Sequence, residues 1–330
     1  MKAIVLRKYG PPDIMRVEDM EKPTPKGDEV LVQVRATAVN DYDWCMVRGK
    51  PDIYRLLFGL TKPKHPIPGM EVSGIVESLG PNVSVFKEGD EVYGDVSEFG
   101  FGTFAEYLAV SEKALVLKPK GMTFEEAASL SHAAMLALQA LRDIAGMKDS
   151  QRILINGGGG GVGTFGLQFA KQLNAEVTGV DSGAKLEKMR EIGFDHVIDY
   201  KQEDFTRNGQ AYDIILDAKT TRPPWNYLRS LRPGGFYVTV GGYLPRILQV
   251  LLFGPLLKRL TRKQLRLLAL KPNKGIEHFN ALFEAGKLKF LIDGPYTLAE
   301  IPMAIQHFGE AKHAGKVVIS LPGSARTTSD

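Results

Sequence analysis

A single cysteine, Cys45, stands in a chain of 330 residues. No disulfide can form within the chain, and the composition suits a reducing compartment. Met1 passes straight into a strand-like run, MKAIVLRKYG, without the charged, apolar and small-residue zones of a secretory leader, so a cytoplasmic protein is expected. No apolar run is long enough to span a bilayer, because Arg246, Lys258 and Arg259 interrupt the longest candidate. An excess of charge is lacking too. Forty-two Lys and Arg against 38 Asp and Glu leave +4, too mild to argue for nucleic acid. The local exception is itself an absence: Tyr243 to Lys274 holds eight basic residues and no acidic one, which leaves the rest of the chain at −4 (+4 less 8).

What is abundant is glycine, and its placement organises the chain. In Arg152 to Leu173, RILINGGGGGVGTFGLQFAKQL, a short apolar run meets five consecutive glycines and then a helical pattern. Ile153, Leu154 and Ile155 read as a buried parallel strand, while Val162, Phe165, Phe169 and Leu173 recur at helical spacing. Gly158, Gly160 and Gly163 match G-x-G-x-x-G in the strand, turn, helix context that gives the motif meaning, with Gly161 and Val162 between them. Glycine is needed for a tight turn, for close approach of a pyrophosphate, and for packing the helix against the strand. The N–H groups and dipole of the helix start then hold phosphate, so dinucleotide binding is expected.

At 44% hydrophobic and 24% charged, the chain has the composition of a globular protein with room for two domains and a sizeable core. Up to about Gly121 the pattern is short strands separated by Gly and Pro. Val30, Val32, Val34 and Ala36 alternate with Gln33 and Arg35 as in a half-buried strand, and similar runs suggest a small, partly open barrel or sandwich. From Thr123 the character changes. Thr123 and Glu126 form a capping box before an Ala-rich helical segment, and strand and helix then alternate to Phe236–Val240. Such alternation builds a parallel sheet covered on both faces, an α/β architecture. Leu265–Leu270 reads as a last strand, Gly275–Ala285 and Leu298–Glu310 as helices, and Lys316–Leu321 as a closing strand. The expected division is 1–122, 123–272 and 273–322, with a loose polar tail at 323–330.

The order of parts resembles the medium-chain dehydrogenase/reductase superfamily, and within it the zinc-free, quinone oxidoreductase-like branch. The resemblance covers nearly the whole chain. Carrying it are AVNDYDWCMVRG, HPIPGMEVSGIVESLG, the glycine loop and its helix, DHVIDYKQEDF and RPGGFYVTVGG. It implies a GroES-like β-rich substrate domain made of both chain ends, a Rossmann doubly wound parallel sheet between them, and an active site in the cleft. It also implies a homodimer paired through the edge strand of the parallel sheet.

Departures from the zinc alcohol dehydrogenases of that superfamily are as informative. Asn40 stands where those enzymes carry a first-ligand Cys, and Met70 precedes Glu71 where they have His. His132 lies near the third ligand's place, and Cys45 and His65 match no zinc spacing. Catalytic zinc needs three protein ligands, so no metal is expected. His132 is read as a helix-packing residue and Cys45 as a small buried hydrophobe. Without a Lewis acid, reduction of an activated acceptor is favoured over alcohol oxidation, because a quinone or an α,β-unsaturated carbonyl takes hydride at carbon and spreads the charge onto oxygen. The resemblance implies that Asn40 lies beside that oxygen as a donor; the plain alternative is an Asn that ends a strand in a turn. Tyr42 or a solvent water is the candidate proton source.

The dinucleotide is argued from the end of the second parallel strand. Asp181, about twenty residues past the glycine loop, favours NADH by bonding the ribose hydroxyls and repelling a 2′-phosphate. The resemblance implies that Ser182 and Lys185 embrace a 2′-phosphate and that Tyr200, followed by Lys201, flanks the adenine. NADPH is favoured on the strength of a charge-assisted Lys–phosphate bond against a carboxylate free to turn outward. Ala218, Gly241 and Asn273, each after a parallel strand, are further cofactor contacts.

In the basic segment, Leu248, Leu251, Leu252, Leu256, Leu257 and Leu260 form an apolar face. The favoured account is a helix packed over the cofactor cleft; the alternative is peripheral membrane contact through 244–270. The chain as a whole is expected to be an NADPH-dependent reductase of lipophilic quinones or enones. A zinc-free alcohol or aldehyde dehydrogenase is the nearest rival, and a non-catalytic NADPH-binding module acting at membranes or RNA is the rival from a different class.

Overall fold

The computed structural model describes residues 1–322, so the tail read at 323–330 lies outside the described residues. Seven strands open the chain: β1 (Lys2–Val5), β2 (Arg16–Asp19), β3 (Glu29–Ala38), β4 (Glu71–Leu79), β5 (Glu91–Asp95), β6 (Tyr107–Ser111) and β7 (Val116–Leu117). Helices α1 (Asp41–Arg48) and α2 (Ile53–Phe58) lie between β3 and β4, and α3 (Phe124–Leu130) and α4 (Ala133–Leu138) follow β7. Then come β8 (Arg152–Asn156), α5 (Gly161–Lys171), β9 (Glu176–Asp181), α6 (Leu186–Ile192), β10 (His196–Asp199), β11 (Tyr212–Asp217), α7 (Pro224–Arg229), β12 (Leu231–Thr239), α8 (Leu244–Thr261) and β13 (Gln264–Leu267). The chain closes with α9 (Ile276–Glu284), β14 (Ile292–Tyr296), α10 (Ile301–Gly309) and β15 (Lys316–Ser320).

Two compact units result, one made of Met1–His132 with residues 292–322, the other of Ala133–Leu291. The sequence-based boundaries at 122/123 and 272/273 differ from this division. Helix α3 packs on β3, β4 and β15, and α9 packs on α4.

In the first unit a seven-stranded sheet runs β14-β15-β3-β4-β5-β7, with β6 also on β3, beside a two-stranded β1–β2 ribbon. Strand β3 is its centre, antiparallel to β4, β6 and β15. Its alternation is kept: Val30, Val32, Val34 and Ala36 are buried, Gln33 and Arg35 half-buried. The apolar positions of β3, β4 and β5 close one core with Phe104, Ile305 and Val317.

In the second unit six strands, all parallel, run β10-β9-β8-β11-β12-β13. Counted from β8 this is the order 3-2-1-4-5-6, in which the winding reverses between β8 and β11. Ligands bind outside the carboxyl ends of the strands at that reversal. The two central strands carry the apolar runs Ile153–Ile155 and Ile214–Leu216, buried as both faces of a parallel sheet require, and Leu154, Val180, Ile215, Tyr227, Tyr237 and Leu265 share one core. The last of these strands, read as Leu265–Leu270, is shorter and begins one residue earlier.

Helix α8 departs from expectation in its orientation. Val250 and Gly254 are its buried residues, and a side chain at Gly254 would meet the Leu265 carbonyl at 3.0 Å, so the helix lies close on β13. Leu257 and Thr261 continue the inner stripe, half-buried. Leu248, Leu251, Leu252, Leu256 and Leu260 are exposed. The apolar face proposed to pack inward points outward instead, because the close approach at Gly254 sets which side meets the sheet.

Candidate functional site

The second unit's site begins where β8 ends. Gly157 takes a positive φ of 89°, which only glycine adopts freely, and Gly160 caps α5, whose first residues are Gly161, Val162 and Gly163. A Cβ on Gly163 would come within 2.4 Å of the Gly158 carbonyl, and one on Gly158 within 3.2 Å of the Gly179 Cα. The glycines therefore hold helix, loop and β9 at backbone contact, as a dinucleotide cradle requires.

Asp181 and Lys185 meet beside this loop. The Asp181 carboxylate accepts the Gly159 N–H at 3.0 Å and the Ser182 N–H at 2.8 Å, and pairs with the Lys185 ammonium at 3.3 Å, both side chains being nearly buried. The expectation of a carboxylate free to turn outward is corrected: it is tied into the loop. Tyr200 is half exposed, and its N–H donates to the Asp181 carbonyl at 3.1 Å. Ala218 donates its N–H to the Asn156 carbonyl at 3.0 Å, and the Gly241 carbonyl accepts the Thr220 N–H at 3.2 Å. Ala218 lies in the loop after β11, at the winding reversal, and Gly241 in the neighbouring loop after β12. Asn273 lies in a turn, with a φ of 59°, ahead of α9.

Sequence reasoning missed the support beneath these loops. Asp217, fully buried at the end of β11, accepts from Asn156 Nδ2 at 2.7 Å, the Lys219 N–H at 2.8 Å and the Tyr237 hydroxyl at 2.8 Å. Burial raises its carboxyl above the usual range, and these donors oppose the shift. Tyr237 also shares a hydrogen bond with Thr220 at 3.0 Å and stacks on Tyr227 with centroids 4.2 Å apart. One carboxylate thus joins the loops after β8 and β11. An Asp closing a β-run of apolar residues was the available signal.

The first unit's site lies where β3 gives way to α1. Asn40 is the N-cap of α1, its backbone N–H donating to Asp43 Oδ2 at 2.8 Å. Its side-chain amide is engaged elsewhere: Nδ2 donates to Glu71 Oε2 at 2.8 Å, and Oδ1 accepts from Lys316 Nζ at 2.5 Å. Lys316, 276 residues away on β15, also pairs with Glu71. At the turn after α3, the Ser131 hydroxyl and the His132 N–H donate to Glu71 Oε1 at 3.1 and 2.6 Å. Glu71 is fully buried and faces four donors. This fixes the Asn40 amide so that its second Nδ2 hydrogen is left for another acceptor. The plain turn reading accounts for the backbone of Asn40 but not for its side chain.

His132 is not a helix-packing residue, which corrects the sequence reading. Its Nδ1 bonds Asp95 Oδ2 at 2.7 Å, and its ring meets Tyr42 edge-on, with centroids 6.4 Å apart. The His132 partner holds the Asp95 carboxyl below its ordinary value against the opposing effect of burial. Tyr42 continues into an aromatic patch with Tyr54, Phe58 and Phe101. Its phenol is pushed up, first by burial and then by the Asp95 and Asp41 carboxylates, so it keeps its proton at neutral pH. Cys45 is buried, and burial pushes its thiol up to about 12, which leaves it unreactive. Among the described residues no three His, Cys, Asp or Glu side chains group as metal ligands. The chain thus brings Asn40 and Tyr42 together on one unit, and the glycine loop, Asp181, Ser182 and Lys185 on the other.

Comparison with known proteins places these features. Residues 26–120 match the alcohol dehydrogenase GroES-like domain and residues 192–319 the zinc-binding dehydrogenase family. The chain is 32% identical over 331 residues to a 2-methylene-furan-3-one reductase of Solanum lycopersicum, covering 97% of this chain and 79% of that protein. It is 33% identical over 332 residues to a chloroplastic NADPH-dependent alkenal/one oxidoreductase of Arabidopsis thaliana, with the same coverage. Among solved structures it is similar to a quinone oxidoreductase from Coxiella burnetii, with a TM-score of 0.86 and 25% identity over 98% of this chain and 99% of that one.

Proposed function

The chain belongs to the zinc-free, quinone oxidoreductase-like branch of the medium-chain dehydrogenase/reductase superfamily, and from that premise we propose that it reduces quinones and α,β-unsaturated carbonyls at the expense of NADPH. The observation that carries the chemistry is the Asn40 amide, locked on both ends by Glu71 and Lys316 with one N–H to spare. A preorganised donor stabilises charge developing on a carbonyl oxygen without reorganising, and this charge is the main demand of conjugate reduction.

The nicotinamide dinucleotide, when bound, supplies the hydride. The glycine loop fits it: the loop leaves no room for a Cβ at Gly158 or Gly163 and offers the N–H groups of the first turn of α5, Gly161, Val162 and Gly163. Ala218, Gly241 and Asn273 border it from the loops beyond. NADPH over NADH is supported by the Asp181–Lys185 pair. Lys185 neutralises the carboxylate that would repel a 2′-phosphate and carries a donor to it, with Ser182 and Tyr200 alongside.

Tyr42 holds the proton that completes reduction, and the His132–Asp95 pair stands against its ring. The aromatic patch around Tyr42 suits a lipophilic, conjugated acceptor. The single buried Cys45 supports a reducing, cytoplasmic setting, and β13, at the sheet edge, supports pairing of two copies. Asn40→Ala is the test: kcat with an enone falls about a hundredfold or more, as for loss of an oxyanion donor, while the Kd for NADPH holds. An unchanged kcat refutes the assignment.

A further inference from the structure

From Ile247 to Leu257 helix α8 is apolar on nearly every side, with Gln249 the one polar side chain, and a helix of that kind is ordinarily buried all round. Here only one side is covered. Val250 and Gly254 face the sheet, whereas Leu248, Leu251, Leu252, Phe253, Leu256 and Leu260 are exposed, Leu252 and Leu260 to 73% and 70%. Six large apolar side chains on one surface helix exceed the scattered exposure of an ordinary protein surface. The C-terminal turn adds Lys258, Arg259 and Arg262, all exposed and none in an ion pair among the described residues. No acidic residue occurs from Tyr243 to Lys274.

We propose that the outer face of α8 docks on an anionic lipid surface, lying in the plane of the headgroups with its leucines in the acyl boundary and Lys258, Arg259 and Arg262 on the phosphates. Three features agree on this occupant. Eighteen residues make a rod of about 27 Å, long enough to lie along a surface. No helix among the described residues is long and apolar enough to cross a membrane, so contact is one-sided. The charge is of one sign, and Lys and Arg stems reach past apolar surface to set their heads among phosphates. A second copy of the chain is a poorer occupant. A two-fold contact sets the patch against itself and brings the basic turn of each copy toward a surface with no carboxylate to receive it. The contact also fits a lipophilic substrate drawn from the membrane, but it stands on α8 alone and does not depend on the activity.

The test is co-sedimentation of the full chain with large unilamellar vesicles of phosphatidylcholine, with and without a quarter phosphatidylglycerol, at low and physiological salt. Binding is expected with the anionic vesicles and not the neutral ones, weakening as salt rises. The pair Leu252→Ser and Leu256→Ser lowers the partition coefficient at least tenfold, in line with the transfer of two leucine side chains. The pair Lys258→Gln and Arg259→Gln lowers it by about thirtyfold, at roughly fivefold per cation near the surface. Both pairs are exposed, so turnover and melting temperature hold, which separates a lost surface from a lost fold. No binding to anionic vesicles at low salt, or binding equal in the leucine pair, overturns the proposal. So does a wild-type dimer in solution that the leucine pair converts to monomer, since a second copy would then be the occupant.

Discussion

Replacing Lys316 by Met isolates the contact that ties the two ends of the chain together at the candidate site. The ammonium is 5% exposed and serves both the Asn40 carbonyl and the fully buried Glu71. Removing one partner of a buried ion pair costs about 3–5 kcal/mol, because the other charge is left without compensation. Glu71 keeps three donors, from Asn40, Ser131 and His132, which puts the loss at the lower end, about 3 kcal/mol. For a unit of this size that corresponds to a fall in Tm of about 6–12 °C. Neutralising the orphaned carboxylate as well, in Lys316→Met with Glu71→Gln, regains more than half of the loss, since an amide leaves no buried charge. Differential scanning calorimetry on the two variants and the parent reads this directly. A shift below about 2 °C, or a double variant no more stable than the single one, refutes the reasoning. In both variants the Asn40 amide loses an anchor, so kcat falls with the Kd for NADPH unchanged.

Other consequences follow from the same geometry. Tyr42→Phe removes the proposed proton source and lowers kcat with an enone about a hundredfold, the low end for general acid catalysis; a change below threefold in steady-state rate assigns the proton to solvent. Lys185→Met raises the KM for NADPH about tenfold or more, as for loss of a charge-assisted bond, and leaves that for NADH within threefold; equal effects on both would show that Lys185 only braces Asp181. Asp95 has a folded-state pKa below its unfolded one, so its stabilisation is full above about pH 4 and is lost as pH falls through the lowered value. Asp95→Asn therefore flattens the acid-side decline of Tm seen in the parent, and a parallel decline in both contradicts the pairing.

The parallel sheet was legible because its central strands are short apolar runs, Ile153–Ile155 and Ile214–Leu216, each followed by a helix, and local pattern suffices where both faces are buried. The glycine loop was legible for a related reason: its meaning is set by six neighbouring residues. Strand β14 was not, since Gly294 and Pro295 break the pattern of IDGPY and only pairing with β15 makes it a strand. Nor was α1, eight residues long, whose signal reduces to Asn40 and Asp43. The Glu71–Lys316–Asn40 cluster is illegible in principle from one sequence, because its members are brought together by the β4–β3–β15 order rather than by spacing. His132 illustrates the same limit: its residue type was noted, but it lies in the turn after α3 and its partner Asp95 arrives from the end of β5. Helix α8 was recognised as a helix, whereas its orientation follows from the close contact of Gly254 with Leu265.

The central claim is zinc-independent, NADPH-dependent reduction of a conjugated acceptor, and the initial rate of NADPH oxidation tests it most directly. The rate is compared with NADH, using an ortho-quinone, a medium-chain enone and the corresponding saturated ketone, before and after treatment with a chelator. Turnover of the quinone or the enone but not the saturated ketone is expected, faster with NADPH than with NADH and unchanged by the chelator. Tight NADPH binding without turnover of either conjugated acceptor, or activity that the chelator abolishes and zinc restores, would contradict it.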